Sequence, residues 1–196
     1  MELKTVYFEE KSEANTEETL HVAKRRADEL GIKTVLVAST GGNTGVKAVE
    51  ILKGLKVVIV THCYGFHDDN TIELTDENRK AIESGGGIIF TTTHIFSGLS
   101  RATRAKYNMP GTGDIIADVL RCFGAGVKVG FEIACMAVDG GYIKAKEEDI
   151  ITVAGTHDGA DTAMVLTPVS THQFFDIRVK EILCKPHSPP LPEPRP

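Results

Sequence analysis

Apolar positions along this chain fall into two patterns. Short β-branched runs with few polar interruptions read as buried strands, and longer stretches with apolar residues three and four apart read as helices. Thr5 to Phe8 reads as a short edge strand. Asn15, with Glu18 three residues on, predicts a capped helix that carries Leu20, Ala23, Ala27 and Leu30 on one face and stops at Gly31. TVLVAS, from Thr34, is a buried strand, followed by TGGNTG and a helix marked by Val46, Val49, Ile51 and Leu52 that stops at Gly54. VVIVT, Val57 to Thr61, is a second strand; a polar loop, a helix from Thr75 to Ser84 and a third strand, Ile88 to Thr92, follow.

Residues 93–112 break the rhythm as a long excursion with no clear period, which predicts a functional loop, either a lid or a subunit contact. Thr112 then caps a helix running to about Phe123, and a second covers Val127 to Val138. DIITVA, Asp149 to Ala154, and TAMVLT, Thr162 to Thr167, are strands, and Asp176 to Cys184 reads as a last one. Alternating strands and helices predict an α/β fold with a three-layer, doubly wound and mostly parallel sheet. The connection between DIITVA and TAMVLT is too short for a crossover helix, so that pair is expected to be antiparallel. Residues 1–185 read as a single domain, and 186–196, which hold six of the eight prolines, as a flexible Pro-rich tail.

Composition narrows the function. A net charge of −5 argues against nucleic acid as a partner. No apolar stretch reaches the length of a membrane span, and the polar start is no signal peptide, so no membrane partner and a cytoplasmic location are expected. Cys63, Cys122, Cys135 and Cys184 form no C-x-x-C pair and are expected as free thiols.

The candidate chemistry centres on S-T-G-G-N-T-G, Ser39 to Gly45. Glycines there let the backbone bend toward a ligand, hydroxyls offer donors, and the helix start attracts an anion. A phosphate site and a loop that merely caps its own helix both fit this pattern. The loop is neither a Walker motif nor a G-x-G-x-x-G fingerprint. Glu132, on an apolar helix face, must be hydrogen-bonded or carry a raised pKa; it either accepts from a ligand or bonds a backbone amide. His62 and His94 follow strands two and three on the same edge, as ligand contacts or as structural residues. His62, His67 and His94 lack metal-ligand spacing, so no metal is expected. Arg101, Arg104 and Lys106 could clasp a phosphate, rim an interface or line a solvated face. Ser97 and Ser100 lack the G-x-S-x-G context of a nucleophile.

The strand-loop-helix around STGGNTG, the strand VVIVTHC, and EEDIITVAGTH with the loop Asp158 to Asp161 and TAMVLTPV resemble the C-terminal domain of pyruvate kinase. Ser39, Gly42, Thr44 and Gly45 fall on that family's T-x-S-G-x-S-A frame. The resemblance implies a five-stranded core of order 3-2-1-4-5 with strand 5 antiparallel, flanked here by short extra edge strands. It implies a phosphate cup at Ser39, Thr40, Gly41, Gly42, Asn43 and Thr44, opposed by Gly155, Thr156, His157 and Gly159. In the family this cup serves an activating sugar bisphosphate. Asn43 and Thr40 stand where the family often has Arg and Lys, and His157 replaces its usual Trp. The YFEE opening and the segment GADTAMVLTP further resemble a stand-alone archaeal and bacterial form without the catalytic barrel, so pyruvate kinase activity is not expected.

These readings converge on a binding domain for a phosphorylated small molecule, flavin mononucleotide being favoured because no cation is evident in the cup. Ile95, Phe96, Leu99 and Met136 would cover its ring, and Thr92 completes the expected set with His62, His94 and Glu132. A homo-oligomer is expected. The alternatives are a flavin-dependent oxidoreductase, another small-molecule enzyme, or a sugar-phosphate-sensing regulatory domain.

Overall fold

The computed structural model describes residues 1–9 and 12–188. Its centre is a run of parallel strands whose side chains are buried on both faces. β2 (Thr34–Ala38) pairs in parallel with β3 (Lys56–Thr61) on one side and with β5 (Ile150–Ala154) on the other, and β3 pairs in parallel with β4 (Ile88–Thr91). β6 (Thr162–Thr167) runs antiparallel to β5, with Ala154 opposite Thr162. Taken from β4, the order β4-β3-β2-β5-β6 is the 3-2-1-4-5 arrangement implied by the resemblance.

Alternation along each strand divides the core in two. Val35, Val37, Ile59, Ile151, Val153 and Val165 pack with α1 (Thr16–Leu30), α2 (Asn43–Ile51) and α3 (Asp76–Ser84). Leu36, Val58, Val60, Ile150, Met164 and Leu166 face α6 (Ala125–Asp139). A period of two with both faces covered is what makes these strands read as near-continuous apolar runs. Close packing of α6 on the sheet needs small residues: a Cβ on Gly126 would lie 2.5 Å from Thr162 Cβ.

Three elements differ from the sequence reading. Within the 93–112 excursion lies α4 (Gly98–Tyr107), which buries no residue and ends at Asn108 in the left-handed conformation. With no buried stripe it left no periodic signal. It leads to α5 (Thr112–Arg121). The last strand, β7 (Arg178–Pro186), starts two residues late because Thr171–Asp176 forms a 3-10 turn. It keeps the expected length of nine residues and lies between β6 and the edge strand β1 (Val6–Phe8), which pairs with it in parallel. Finally, Asn15 is the last residue of a 3-10 turn, Ser12–Asn15, sits in helical backbone and makes no side-chain cap bond to α1. Pro186 belongs to β7, and most of the expected Pro-rich tail, 189–196, lies outside the described residues.

Candidate functional site

The chain moves outward from β2 to β3 and β4, then returns to the other side of β2 as β5. This reversal leaves a crevice beyond the carboxyl ends of β2 and β5, where open α/β sheets bind ligands. A cavity of about 770 Å³ occupies it.

The loop after β2 forms one wall. Gly42 takes φ 103°, a left-handed turn that lets the chain reverse directly into α2. Ser39 Oγ accepts from the Gly45 amide at 3.1 Å, so one of the donors at the start of α2 is capped by the protein itself. Asn78 Nδ2 donates to Gly41 O at 2.8 Å and to Asn43 Oδ1 at 2.9 Å, holding the loop against α3. Ser39, Thr40, Gly41, Asn43 and Thr44 line the cavity.

The loop after β5 forms the opposite wall and is built around Asp161. Its carboxylate accepts from the Thr156 amide at 3.2 Å and from the Thr162 hydroxyl at 2.7 Å. Thr16 Oγ1 accepts from the Ala160 amide at 3.0 Å, fixing the loop to the start of α1. His157 has φ 63°, an unusual left-handed position for a residue with a side chain. Gly155, Thr156, His157 and Gly159 line the cavity.

The floor is polar and charged. Glu132 on α6 is 2% exposed, pairs with Lys128 one turn earlier, and accepts from the Phe96 amide at 3.1 Å. His94 Nδ1 lies 3.9 Å from its carboxylate. Burial alone would raise the Glu132 pKa, but His94 and Lys128 outweigh it and hold the carboxyl at about 2. Glu132 is therefore a fixed anion, not a general acid. Burial pushes the Lys128 ammonium down from its ordinary value, against the pull of Glu132. Burial also pushes the Cys135 and Cys184 thiols up to about 12, which leaves them unreactive as nucleophiles.

Of the residues expected at the site, the fold brings together Ser39, Thr40, Gly41, Asn43, Thr44, His62, His94, Glu132, Gly155, Thr156 and His157. Three are not in the cavity lining. The space a Gly42 side chain would need is filled by Asn78 and Leu74, so that residue faces α3. Met136 is buried under the sheet, one helical turn beyond Glu132. Thr92 follows β4 without reaching the cavity. The excursion contributes Ser97 to the lining, while Phe96 is buried beneath it and Leu99 is 86% exposed. Arg101 and Arg104 are engaged within the chain, by the Phe66 carbonyl and by buried Asp114.

The sequence reading missed the cations. Lys47, Arg121 and Lys128 all line the cavity. Lys47 pairs with Glu17 at 2.9 Å, and Lys128 with Glu132. Lys47 lies one turn after Thr44, and Lys128 is a lone cation on an apolar helix four residues before Glu132; both signals were visible in the spacing.

The family model of the pyruvate kinase alpha/beta domain matches residues 17–166, from α1 to the end of β6. The chain belongs to that family. Among solved structures, this pyruvate kinase alpha/beta domain is similar to a pyruvate kinase from Cryptosporidium parvum, at 10% identity and a TM-score of 0.42 over 79% of this chain. It spans only 23% of that enzyme. A hydrogen sulfide-producing enzyme from Fusobacterium nucleatum matches at 21% identity and a TM-score of 0.30, over 50% of this chain and 31% of its own. An O-ureido-L-serine synthase matches at 17% identity and a TM-score of 0.30, over 66% of this chain and 40% of its own.

Proposed function

We propose that this domain binds a phosphorylated small molecule, flavin mononucleotide, with its phosphate at the Ser39–Thr44 loop. The observation that carries the reading is the loop's position: hydroxyls and the start of α2 open into a cavity of about 770 Å³ at the switch point of the sheet. That volume lies within the range of about 300–1,000 Å³ usual for small-molecule sites. Thr40, Asn43 and Thr44 would bind the phosphate together with the first amides of α2, and Lys47 adds positive potential. Phe66, Val129 and Ile133 supply apolar wall for a planar ring. A bound flavin would supply redox chemistry; the chain's own contribution is to hold and orient it. Glu132, an anion already engaged by Lys128 and Phe96, keeps the floor rigid.

The test begins with denaturing the purified protein and recording the absorbance and mass of what is released, followed by titration with flavin mononucleotide and riboflavin. Tighter binding of the phosphorylated form supports the reading, and equal binding of the two contradicts it. A second reading is favoured by the cavity's three cations, which could serve a ligand with two phosphates. A sugar bisphosphate that displaces the flavin at lower concentration than the flavin's own would establish that one instead.

A further inference from the structure

The loop after β3 places two histidines on one carboxylate. His62 Nδ1 lies 3.0 Å from Glu73 Oε1, and His67 Nε2 lies 3.3 Å from the same oxygen. The three donor atoms lie within 4.8 Å of one another. Tetrahedral zinc–nitrogen bonds of about 2.0–2.1 Å place neighbouring donors about 3.3 Å apart, close to the two spacings from the imidazoles to Glu73.

Hydrogen bonding alone explains the arrangement poorly. Both imidazoles aim at one carboxylate oxygen, while Glu73 Oε2 is buried and has no hydrogen-bond partner among the described residues. A third imidazole stands beside them: the His94 ring lies 5.3 Å from that of His62, and its buried Nε2 likewise has no partner among the described residues. The loop is also held in shape before any ion arrives. Gly65 N donates to Thr71 O at 2.9 Å, and the Thr71 hydroxyl donates to Asp68 O at 2.7 Å.

We propose that His62, His67 and Glu73 form a binding site for a divalent transition-metal ion, with His94 next to it at the cavity edge. Two imidazoles and one carboxylate suit zinc, cobalt, nickel or iron rather than calcium or magnesium. His62, His67 and His94 line the cavity, so the ion's remaining coordination positions face the same space as the candidate ligand site. The inference stands independently of the flavin reading, since the ion alone is the probe.

The experiment is titration of the full chain with cobalt(II), followed by its visible ligand-field absorption and by equilibrium dialysis, with zinc(II) as competitor. The expected result is one cobalt per chain, displaced by zinc. His67→Ala and Glu73→Gln should each weaken binding at least about tenfold. His67 is 64% exposed and Gln matches Glu in shape, so both variants should keep the wild-type circular dichroism. His172→Ala, on the 3-10 turn, and Cys63→Ser should bind as wild type. Absence of stoichiometric binding, equal binding by His67→Ala and Glu73→Gln, or loss of binding in Cys63→Ser would each overturn the site.

Discussion

The pair Lys128–Glu132 offers a quantitative test of how the cavity floor is held. Both side chains are buried, at 10% and 2% exposure. Removing one partner leaves the other charge in an apolar helix face, which typically costs about 3–5 kcal/mol. Lys128→Met and Glu132→Gln should each fall in that range at pH 7. In a chain of this length that is roughly 6–20 °C in Tm. The double variant removes both charges, so its loss should be well below the sum. A pH arm isolates the carboxylate. The Glu132 pKa falls from 4.5 to about 2 on folding, so its stabilisation is complete above pH 4.5 and is lost as pH drops toward 2. At about 1.4 kcal/mol per pH unit the single-group effect is about 3 kcal/mol, and Glu132→Gln should lack that part of the acid sensitivity. Urea unfolding of all four proteins at pH 7 measures the coupling, and the difference between pH 7 and pH 3 captures about 2 kcal/mol of the carboxylate effect, the rest being lost below pH 3. Losses that add within about 0.5 kcal/mol would show that the charges do not couple and would refute the argument.

Three further outcomes are expected. Arg104→Met strips the cation from buried Asp114 and should accelerate amide exchange across α4, which buries no residue, more than exchange in β2 or β5; uniform protection would contradict this. Gly126→Ala forces a Cβ to within 2.5 Å of Thr162 Cβ and should cost about 1–3 kcal/mol by denaturant unfolding, because α6 must shift off the sheet to relieve the overlap. Burial, opposed by Glu73, lowers the His62 pKa below 6.5, so this group favours the folded state less as pH falls beneath 6.5; an NMR titration midpoint above 6.5 would reverse the sign.

The strands of the sheet centre were legible because residues buried on both faces leave unbroken apolar runs: VLV in β2, VVIV in β3 and IITVA in β5. Their joint order with STGGNTG and GTHDGAD also placed both loops at one sheet edge. What escaped had no such imprint. α4 has no buried side to mark, and β7 begins with three exposed residues that blur its limits. Met136 shares a helix face with Glu132 by spacing, yet four residues along the axis carry it about 6 Å away from the cavity. Gly42 matched a phosphate loop in sequence, while its space belongs to Asn78 and Leu74. The convergence of His62 and His67 on Glu73 depends on a twelve-residue loop folding back on itself, which no local spacing records.

The central proposal, a phosphate held by the loop after β2, is tested most directly by one comparison of dissociation constants. Thr44 is buried at 6% exposure and lines the cavity, and Val keeps its shape while removing the hydroxyl. Loss of a hydrogen bond to a charged group costs about 1.5–3 kcal/mol. Thr44→Val should therefore bind flavin mononucleotide roughly 10- to 100-fold more weakly than wild type, while the two proteins bind riboflavin alike. Equal affinity of Thr44→Val and wild type for flavin mononucleotide would mean that the loop only caps α2, and would contradict the account.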